Sequence, residues 1–442
     1  MKQKIEMKND RHVVITGMGV VSPFGLGVNN FNENIFAGKS AAQMITAFDV
    51  SGLPTRFAAS VPLDEGELDS MVENQKSLKT MSRAIKFAVI AAQEAVNDSG
   101  LHHDELDPYR FGISIGAGGL GLWDLDYSKQ LSGIIYDSID ETNKEFSFGR
   151  VWKNILEQVH PLTPLKALPN MAAANIAINY NARGHCQTIT TACTSGSQAI
   201  GEAYRLIKHG ITDVMIAGAS DSMVNPNGLV AFSTLGVMSK NNDEYSEAIR
   251  PFDKRRDGFM IGEGGSMFVL EELGHCLRRE AEPLAEVIGY ASINDAFRLT
   301  DEPPEAWGSV KAMKLALEDA SLNAKQVDYI NAHGTGTLMN DKTETFAIKS
   351  VFDKFAFDIP ISSTKSMIGH LVAAAGAVEL TACVLALKHK RIPPTINYKE
   401  NDPDCDLDYV PNISREKELE IILSNSFGFG GQNACLVIKK VK

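Results

Sequence analysis

Short runs of β-branched and apolar residues alternate along this chain with longer stretches whose apolar positions recur at helical spacing. Strands are predicted in "RHVVITGMGVV", "FGISIGAG", "CQTITTA", "DVMIAGAS", "GSMFVLEEL", "DYINAHG", "IPISSTK", "IILSNSFG" and "NACLVIKK". Helices are predicted in "SRAIKFAVIAAQEAVNDSG", "SGSQAIGEAYRLIKHG", "GSVKAMKLALEDASL", "TETFAIKSVFD" and "AAGAVELTACVLALKHK". Thr194 and Ser195 open the second of these helices, and Lys208, His209 and Gly210 close it. The alternation is that of an α/β protein with helices layered on mostly parallel sheets.

Two stretches echo each other. "CQTITTACTSGSQAIGEAYRLIKHG" and "IPISSTKSMIGHLVAAAGAVELTACVLALKHK" each run strand, small-residue turn, helix, and each ends in Lys-His. Two related halves are therefore expected, residues 11–273 and 274–442, joined near 270–285. The segment around 122–160 is aromatic and acidic with no clear periodicity, and reads as an insertion in the first half.

Composition narrows the function classes. Asp and Glu (55) outnumber Lys and Arg (43) and leave a net charge of −12, which gives no reason to expect nucleic-acid binding. The start, "MKQKIEMKND", is charged, and no unbroken apolar run approaches the ~20 residues a membrane span needs. A cytoplasmic protein without a membrane association is expected. The six cysteines (186, 193, 276, 383, 405 and 435) lack paired short spacings, which argues against a disulfide framework or a zinc site. "GAGGLG" (116–121) and "GMGVVSPFGLG" (17–27) fit no nucleotide-binding pattern and are read as tight backbone turns.

Cys193 stands where a strand gives way to a helix. A helix N-terminus favours a thiolate through its unpaired N–H groups and the end of the macrodipole, so the junction is expected to expose and activate the thiol together. A lone cysteine after a strand is more often a packed core thiol. Its company points to chemistry: "INAHGTGTLMND" sets His333 at a strand end before glycines and threonines, and "SSTKSMIGHLVAAAGAVE" sets His370 five residues after Lys365. Either histidine alone would read as structural. "SNSFGFGGQNACLV" alternates Phe427 and Phe429 with glycines, as a movable gate presenting a backbone N–H would, or as a plain glycine-rich turn.

The motifs "TTACTSGS", "NAHGTGT…ND", "SSTKSMIGH" and "NSFGFGGQN", in this order and spacing, resemble the elongating β-ketoacyl-[acyl-carrier-protein] synthases, including the ketosynthase subunits of type II polyketide systems. The similarity runs from about Val13 to Ile438. It implies the thiolase fold, a five-layered α-β-α-β-α sandwich of two similar halves, usually dimeric. It further implies that Cys193 takes an acyl chain from an acyl carrier protein and that His333 and His370 bind the malonyl thioester as it loses CO2. The same resemblance makes Lys365 and Glu379 their supporting pair and gives the oxyanion hole to the N–H groups of Cys193 and Phe429. Thr335 and Thr337 match pantetheine-binding threonines and Phe232 a pocket or gate aromatic, and Phe427 and Ala117 are expected beside them at the substrate. No permanent cofactor or metal is implied, because the phosphopantetheine belongs to the carrier.

Three positions depart from the family pattern. Ala117 stands where a bulky isoleucine usually ends the acyl pocket, so a longer or stiffer chain is expected. The segment from about Leu122 to His160 is longer than in fatty-acid enzymes. Gly236 replaces a rim arginine, which shifts carrier docking to Lys76, Lys79 and Arg83. These points, with "LMNDKTETFAIK", favour a specialised polyketide-type pathway, with a homodimer or a heterodimer with a homologous chain-length factor. The competing reading is a non-catalytic chain-length-factor-like subunit, which Cys193, His333, His370 and Lys365 oppose.

Overall fold

A computed structural model describes residues 11–118, 125–140 and 144–441. The first predicted strand, Val13–Ser22, is buried at every position, as a strand covered on both faces must be. Gly17 and Gly19 lie inside it rather than in turns. A Cβ on either would stand 2.2 or 2.1 Å from the backbone oxygens of Ala95 and Ala91, so these glycines let the helix Arg83–Ser99 press against the strand. The expected turn is found only at Gly25 and Gly27, where φ is +107° and +87°.

Among the described residues one sheet of eleven strands carries the fold. In its first half the spatial order is Cys186–Ile189, Phe111–Ala117, Val214–Ser222, Glu263–Glu272, Val13–Ser22. In its second half it is Ile361–Ser362, Tyr329–Asn331, Ile421–Gly428, Gln432–Lys439, Ala285–Asn294. Numbered along the chain within each half, both orders are third, second, fourth, fifth, first. Both share the same sense, with the third, second and fourth strands parallel and the fifth antiparallel to its neighbours. The faint sequence repeat is thus a repeat of topology. The halves meet where Val13–Ile15 pairs antiparallel with Ala285–Val287.

The strand Ala285–Asn294 was not among those predicted, although it opens the second half. Its sequence, AEVIGYASIN, mixes glycine and polar residues into the apolar run and carries no clean alternation. Helices missed as well include Val28–Phe36, Glu65–Met71, Met171–Asn179 and Pro226–Leu235. The insertion holds more order than its sequence suggested: it forms helices Leu125–Asp137 and Phe148–Gln158, which pack on each other and bury Ile134 and Val151. Residues 122–124 and 141–143 of that segment, and 119–121 of the glycine-rich stretch, lie outside the described residues.

Helices Ser195–Lys208 and Ala375–His389 lie side by side and touch strands of both halves, forming the middle layer. Arg83–Ser99 covers the outer face of the first half, and Trp307–Asp319 with Leu338–Phe352 covers the second. The layers are therefore helix, sheet, helix, sheet, helix. The central position explains the composition of the last middle helix. Val372–His389 is long and apolar enough to cross a membrane, yet 89% of it is buried inside the protein, where a helix must be apolar all round.

Candidate active site

The two middle helices begin alike. Ala192–Thr194 forms a single 3-10 turn before Ser195, and Val372–Ala374 forms one before Ala375. Each turn opens on a residue held in the left-handed region, Ala192 at φ +52° and Val372 at φ +48°. Such a conformation costs about 1–3 kcal/mol away from glycine, and functional sites are where it persists. The first turn carries Cys193, and the second begins two residues after His370.

His370 Nε2 lies 3.1 Å from Cys193 Sγ, and the imidazole of His333 stands edge-on to that of His370 at 5.3 Å between centroids. The hydrogen-bond partners fix both tautomers. The Val372 N–H points at His370 Nδ1 (3.3 Å), and the Lys365 ammonium points at His333 Nδ1 (3.3 Å). Nδ1 is thus an acceptor in both rings, so each neutral imidazole carries its proton on Nε2. Burial drives both histidines well below the usual imidazole pKa, with Lys365 adding to the effect, and they stay neutral. The site therefore presents two N–H donors beside a sulfur.

Lys365 is fully buried and paired with the carboxylate of Glu379, which is buried as well. Burial raises the Glu379 carboxyl, and Lys365 opposes that rise. The pair thus keeps a donor on His333 without leaving an isolated charge in the interior.

The expectation of an activated thiol needs correction for the free chain. Cys193 is 6% exposed, and burial pushes its thiol up to about 12 against the pull of Lys365. The resting group is the thiol. The helix end and the His370 N–H are placed to stabilise any negative charge that develops on the sulfur.

The hairpin between Ile421–Gly428 and Gln432–Lys439 closes the site. Gly428 lies against the Cys193 amide: a Cβ there would stand 3.1 Å from Cys193 N and fill the space in front of that N–H. Phe429 follows at the tip, half-buried, with Gly430 and Gly431 at φ +83° and +74° giving it the sharp turn. Phe427 packs against His333 at 5.8 Å. On the other side Phe232 meets Phe259 edge-on, and Phe259 meets His370 at 5.2 Å, so aromatic rings flank both histidines.

These groups line one cavity of about 470 Å³, which also contains Thr335 and Thr337. The two threonine hydroxyls bond each other at 2.9 Å, and Thr337 caps the helix Leu338–Phe352 by accepting from Asn340 N–H. Whichever donates to the other, one hydroxyl proton is left over for a ligand.

Ala117 is not brought to this cavity. Its strand end pairs with Ser220 and borders a separate hollow of about 30 Å³, alongside Arg83, Leu168 and Asp221. Arg83 is likewise not a docking cation. Its guanidinium is spent on Glu263, Glu65 and the carbonyls of Leu63 and Val61. Lys76 and Lys79 remain exposed on the short turn Gln75–Thr80. Gly236 is the C-cap of Pro226–Leu235 at φ +70°, a conformation that favours glycine over the arginine expected there.

Several contributors were missed from the sequence. Glu344 is fully buried and accepts from the N–H groups of His333 (2.9 Å) and Gly334 (2.7 Å), with Asn425 as a third donor. Asp341 accepts from Gly336 and Phe252 N–H groups and faces Arg256. Asp221 accepts from Ser222 N–H (2.9 Å) and, across the halves, from Ala373 N–H (3.1 Å). The signal for the first two was the pair of acids eight and eleven residues after His333 in "NDKTE", a spacing that turns both back toward the strand end.

Comparison with known proteins places this geometry. The family model described as beta-ketoacyl synthase, N-terminal domain matches residues 10–275, and the corresponding C-terminal domain model matches 284–399. The chain is 40% identical to "3-oxoacyl-[acyl-carrier-protein] synthase 2" of Coxiella burnetii, over 98% of this chain and 99% of that protein. It superimposes with a TM-score of 0.85 at 33% identity on a type II PKS ketosynthase solved with its acyl-carrier protein and bound to the hexaketide, covering 98% of this chain and 100% of that one. The ishigamide ketosynthase/chain length factor gives a TM-score of 0.85 at 34% identity, covering 98% and 100%.

Proposed function

The chain belongs to the beta-ketoacyl synthase family, and from that premise we propose how its residues carry out the condensation and in which kind of pathway. The observation that carries the reading is the pair of Nε2–H donors, His333 and His370, facing one cavity with Cys193 Sγ.

In the first half-reaction the Cys193 sulfur attacks the thioester carbonyl of an acyl carrier protein. The carbonyl oxygen takes up negative charge between the N–H groups of Cys193 and Phe429, which Gly428 leaves accessible. Collapse expels the carrier thiolate, which receives the proton that left Cys193, and the acyl chain remains on sulfur. Thiol and thioester are exchanged with no net change in protons.

In the second half-reaction malonyl-carrier protein enters with its thioester oxygen against the two Nε2–H donors. Breaking the bond to the carboxylate releases CO2 and leaves its electron pair as an enolate, stabilised by those donors. The enolate carbon attacks the Cys193 thioester. The tetrahedral intermediate then expels Cys193 as thiolate, one proton is taken up, and a 3-oxoacyl-carrier protein leaves. Lys365 and Glu379 hold His333 in the donor tautomer, while Phe232, Phe259 and Phe427 keep water from the enolate.

The pathway reading favours a specialised polyketide-type system in the cytoplasm, with a homodimer or a heterodimer with a chain-length factor. It is supported by the fit to a type II ketosynthase and to a ketosynthase/chain length factor, and by the helical insertion. The test mixes the purified chain, alone and with a co-expressed homologue, with acyl- and malonyl-carrier protein. Intact mass should show acylated Cys193 and then a 3-oxoacyl product, and absence of both species from both preparations defeats the reading.

A further inference from the structure

The strained turn that carries Cys193 is held by a side chain the mechanism above does not use. Ser195 is fully buried at the start of the helix Ser195–Lys208, and its hydroxyl makes two hydrogen bonds. It accepts from Thr191 N–H (2.9 Å) and donates to Ala192 O (2.7 Å). The two bonds bracket Ala192, the residue held at φ +52°. Because the amide of Thr191 donates to the hydroxyl oxygen, the single hydroxyl proton is committed to the carbonyl.

The carbonyl of Ala192 and the N–H of Cys193 belong to one planar peptide unit, so the two groups point in opposite directions. Fixing the oxygen therefore aims the N–H. The backbone N–H of Ser195 donates to that same oxygen, and the hydroxyl adds the second bond that a carbonyl can accept. The other end of the peptide, the Cys193 N–H, looks onto the space that Gly428 leaves open. Donors drawing on the carbonyl also polarise the N–H across the peptide and strengthen it as a donor in its turn.

The second half shows the same turn held differently. Val372, at φ +48°, is the counterpart of Ala192, and Ala375 stands where Ser195 does, without a hydroxyl to give. There the equivalent peptide is tied by its other end, since Ala373 N–H donates to the Asp221 carboxylate at 3.1 Å. Ala373 has no part in the oxyanion hole, so its N–H can be spent on the scaffold. At Cys193 the N–H is needed for substrate, and the hold falls on the carbonyl instead.

We infer that Ser195 is a positioning residue for acyl transfer, its hydroxyl holding the Ala192 carbonyl so that the Cys193 N–H points at the thioester oxygen. The inference rests on the ketosynthase reading above, which assigns that N–H to the oxyanion hole. Ser195 acts only through the peptide it holds.

The test compares two reactions of the same sulfur in the full chain, each followed by peptide mass at Cys193. Acyl transfer from an acyl carrier protein passes through an oxyanion, whereas alkylation by iodoacetamide does not. Ser195→Ala should slow single-turnover acylation at saturating carrier about tenfold, with the half-saturating carrier concentration within about twofold of the parent. The alkylation rate should also stay within about twofold, because no oxyanion forms. Adding Ala192→Gly to Ser195→Ala removes the cost of the left-handed conformation, so acylation should return to within about threefold of the parent. Rates are taken per Cys193 that can be alkylated, so unfolded chain does not enter. The inference is overturned by a Ser195→Ala chain that acylates at the parental rate, by equal losses of acylation and alkylation, or by a double variant as slow as the single one. If the parent itself is not acylated, the ketosynthase reading fails first, and that outcome is visible before any variant is made.

Discussion

Gly196 and Gly376 hold the same position in two equivalent helices, four residues after the left-handed Ala192 and Val372, and each packs on the start of the other's helix. A Cβ on Gly196 would stand 3.0 Å from Ala377 N, and one on Gly376 would stand 2.1 Å from Ser197 Oγ. The two halves of the protein therefore touch backbone to backbone at the point that sets the Cys193 turn against the His370 turn. Gly376→Ala should cost about 1–3 kcal/mol of stability through overpacking. It should also slow self-acylation of Cys193 by more than the loss of folded protein explains. Ser197→Gly in the same chain should recover part of both, since the clash is with that hydroxyl. Chemical denaturation and single-turnover acylation check the pair, and an alanine variant with parental acylation would show that the crossing does not set the site.

Lys365 and Glu379 make the second relationship with a clear energetic sign. Lys365→Ala leaves the Glu379 carboxylate alone in the interior, and losing one member of a buried pair costs about 3–5 kcal/mol. Adding Glu379→Gln removes the stranded charge and should restore much of the stability. Activity should not return with it. Without the ammonium on Nδ1, His333 is free to adopt the other tautomer, and losing one oriented donor should slow malonyl decarboxylation by about 10²-fold. Denaturation curves and CO2 release separate these two effects.

Asp221 supplies a pH dependence that the histidines cannot. Both imidazoles are held well below their usual range by burial, so neither gains a proton near neutrality. Asp221 is pushed up to about 6 by burial, against the N–H donors of Ala373 and Ser222. Above that pH it is a carboxylate and holds the turn after His370. As pH falls through about 6 it takes a proton and that grip weakens. The condensation rate should decline on the acid side with that midpoint. Asp221→Asn, which cannot titrate, should be slower at neutral pH and lack the acid decline. A rate–pH profile for both proteins decides, and an unchanged acid limb in the variant would assign it to another group.

The legible part of this protein was whatever chemistry concentrates into a motif. Cys193, His333, Lys365, His370 and Phe429 each stood in short, unusual runs at predicted strand ends; the fold gathers Cys193, His333, His370 and Phe429 around one cavity and sets Lys365 behind His333. What stayed hidden depends on long-range register. Asp221 reaches Ala373 across 152 positions, a contact that no local pattern encodes. The strand Ala285–Asn294 has a weak pattern because its place between two neighbours, more than its own propensity, makes it a strand. The high thiol of Cys193 was misjudged for a related reason: the helix end is visible in the sequence, while the burial that opposes it is a property of both halves closing together.

Glu344 gives the last prediction, because it acts on the catalytic centre through backbone alone. Its carboxylate takes the N–H groups of His333 and Gly334 on separate oxygens, and Gly334 sits at φ +40° with the strand end turned sharply toward the cavity. Burial lifts it to about 7, so near neutrality the donors must keep it ionised enough to accept at both oxygens. Glu344→Gln offers one acceptor and one NH2, and the NH2 would point at a backbone N–H. One buried donor is then orphaned, at a cost of about 1–3 kcal/mol. The His333 side chain inherits the displacement while the Cys193 turn, held from the other half, does not. The variant should therefore acylate Cys193 at close to the parental rate yet lose malonyl decarboxylation by about 10-fold or more. Acylation followed by intact mass, and CO2 release measured separately, give the two rates; equal losses in both would mean that Glu344 supports the fold at large rather than the placement of His333.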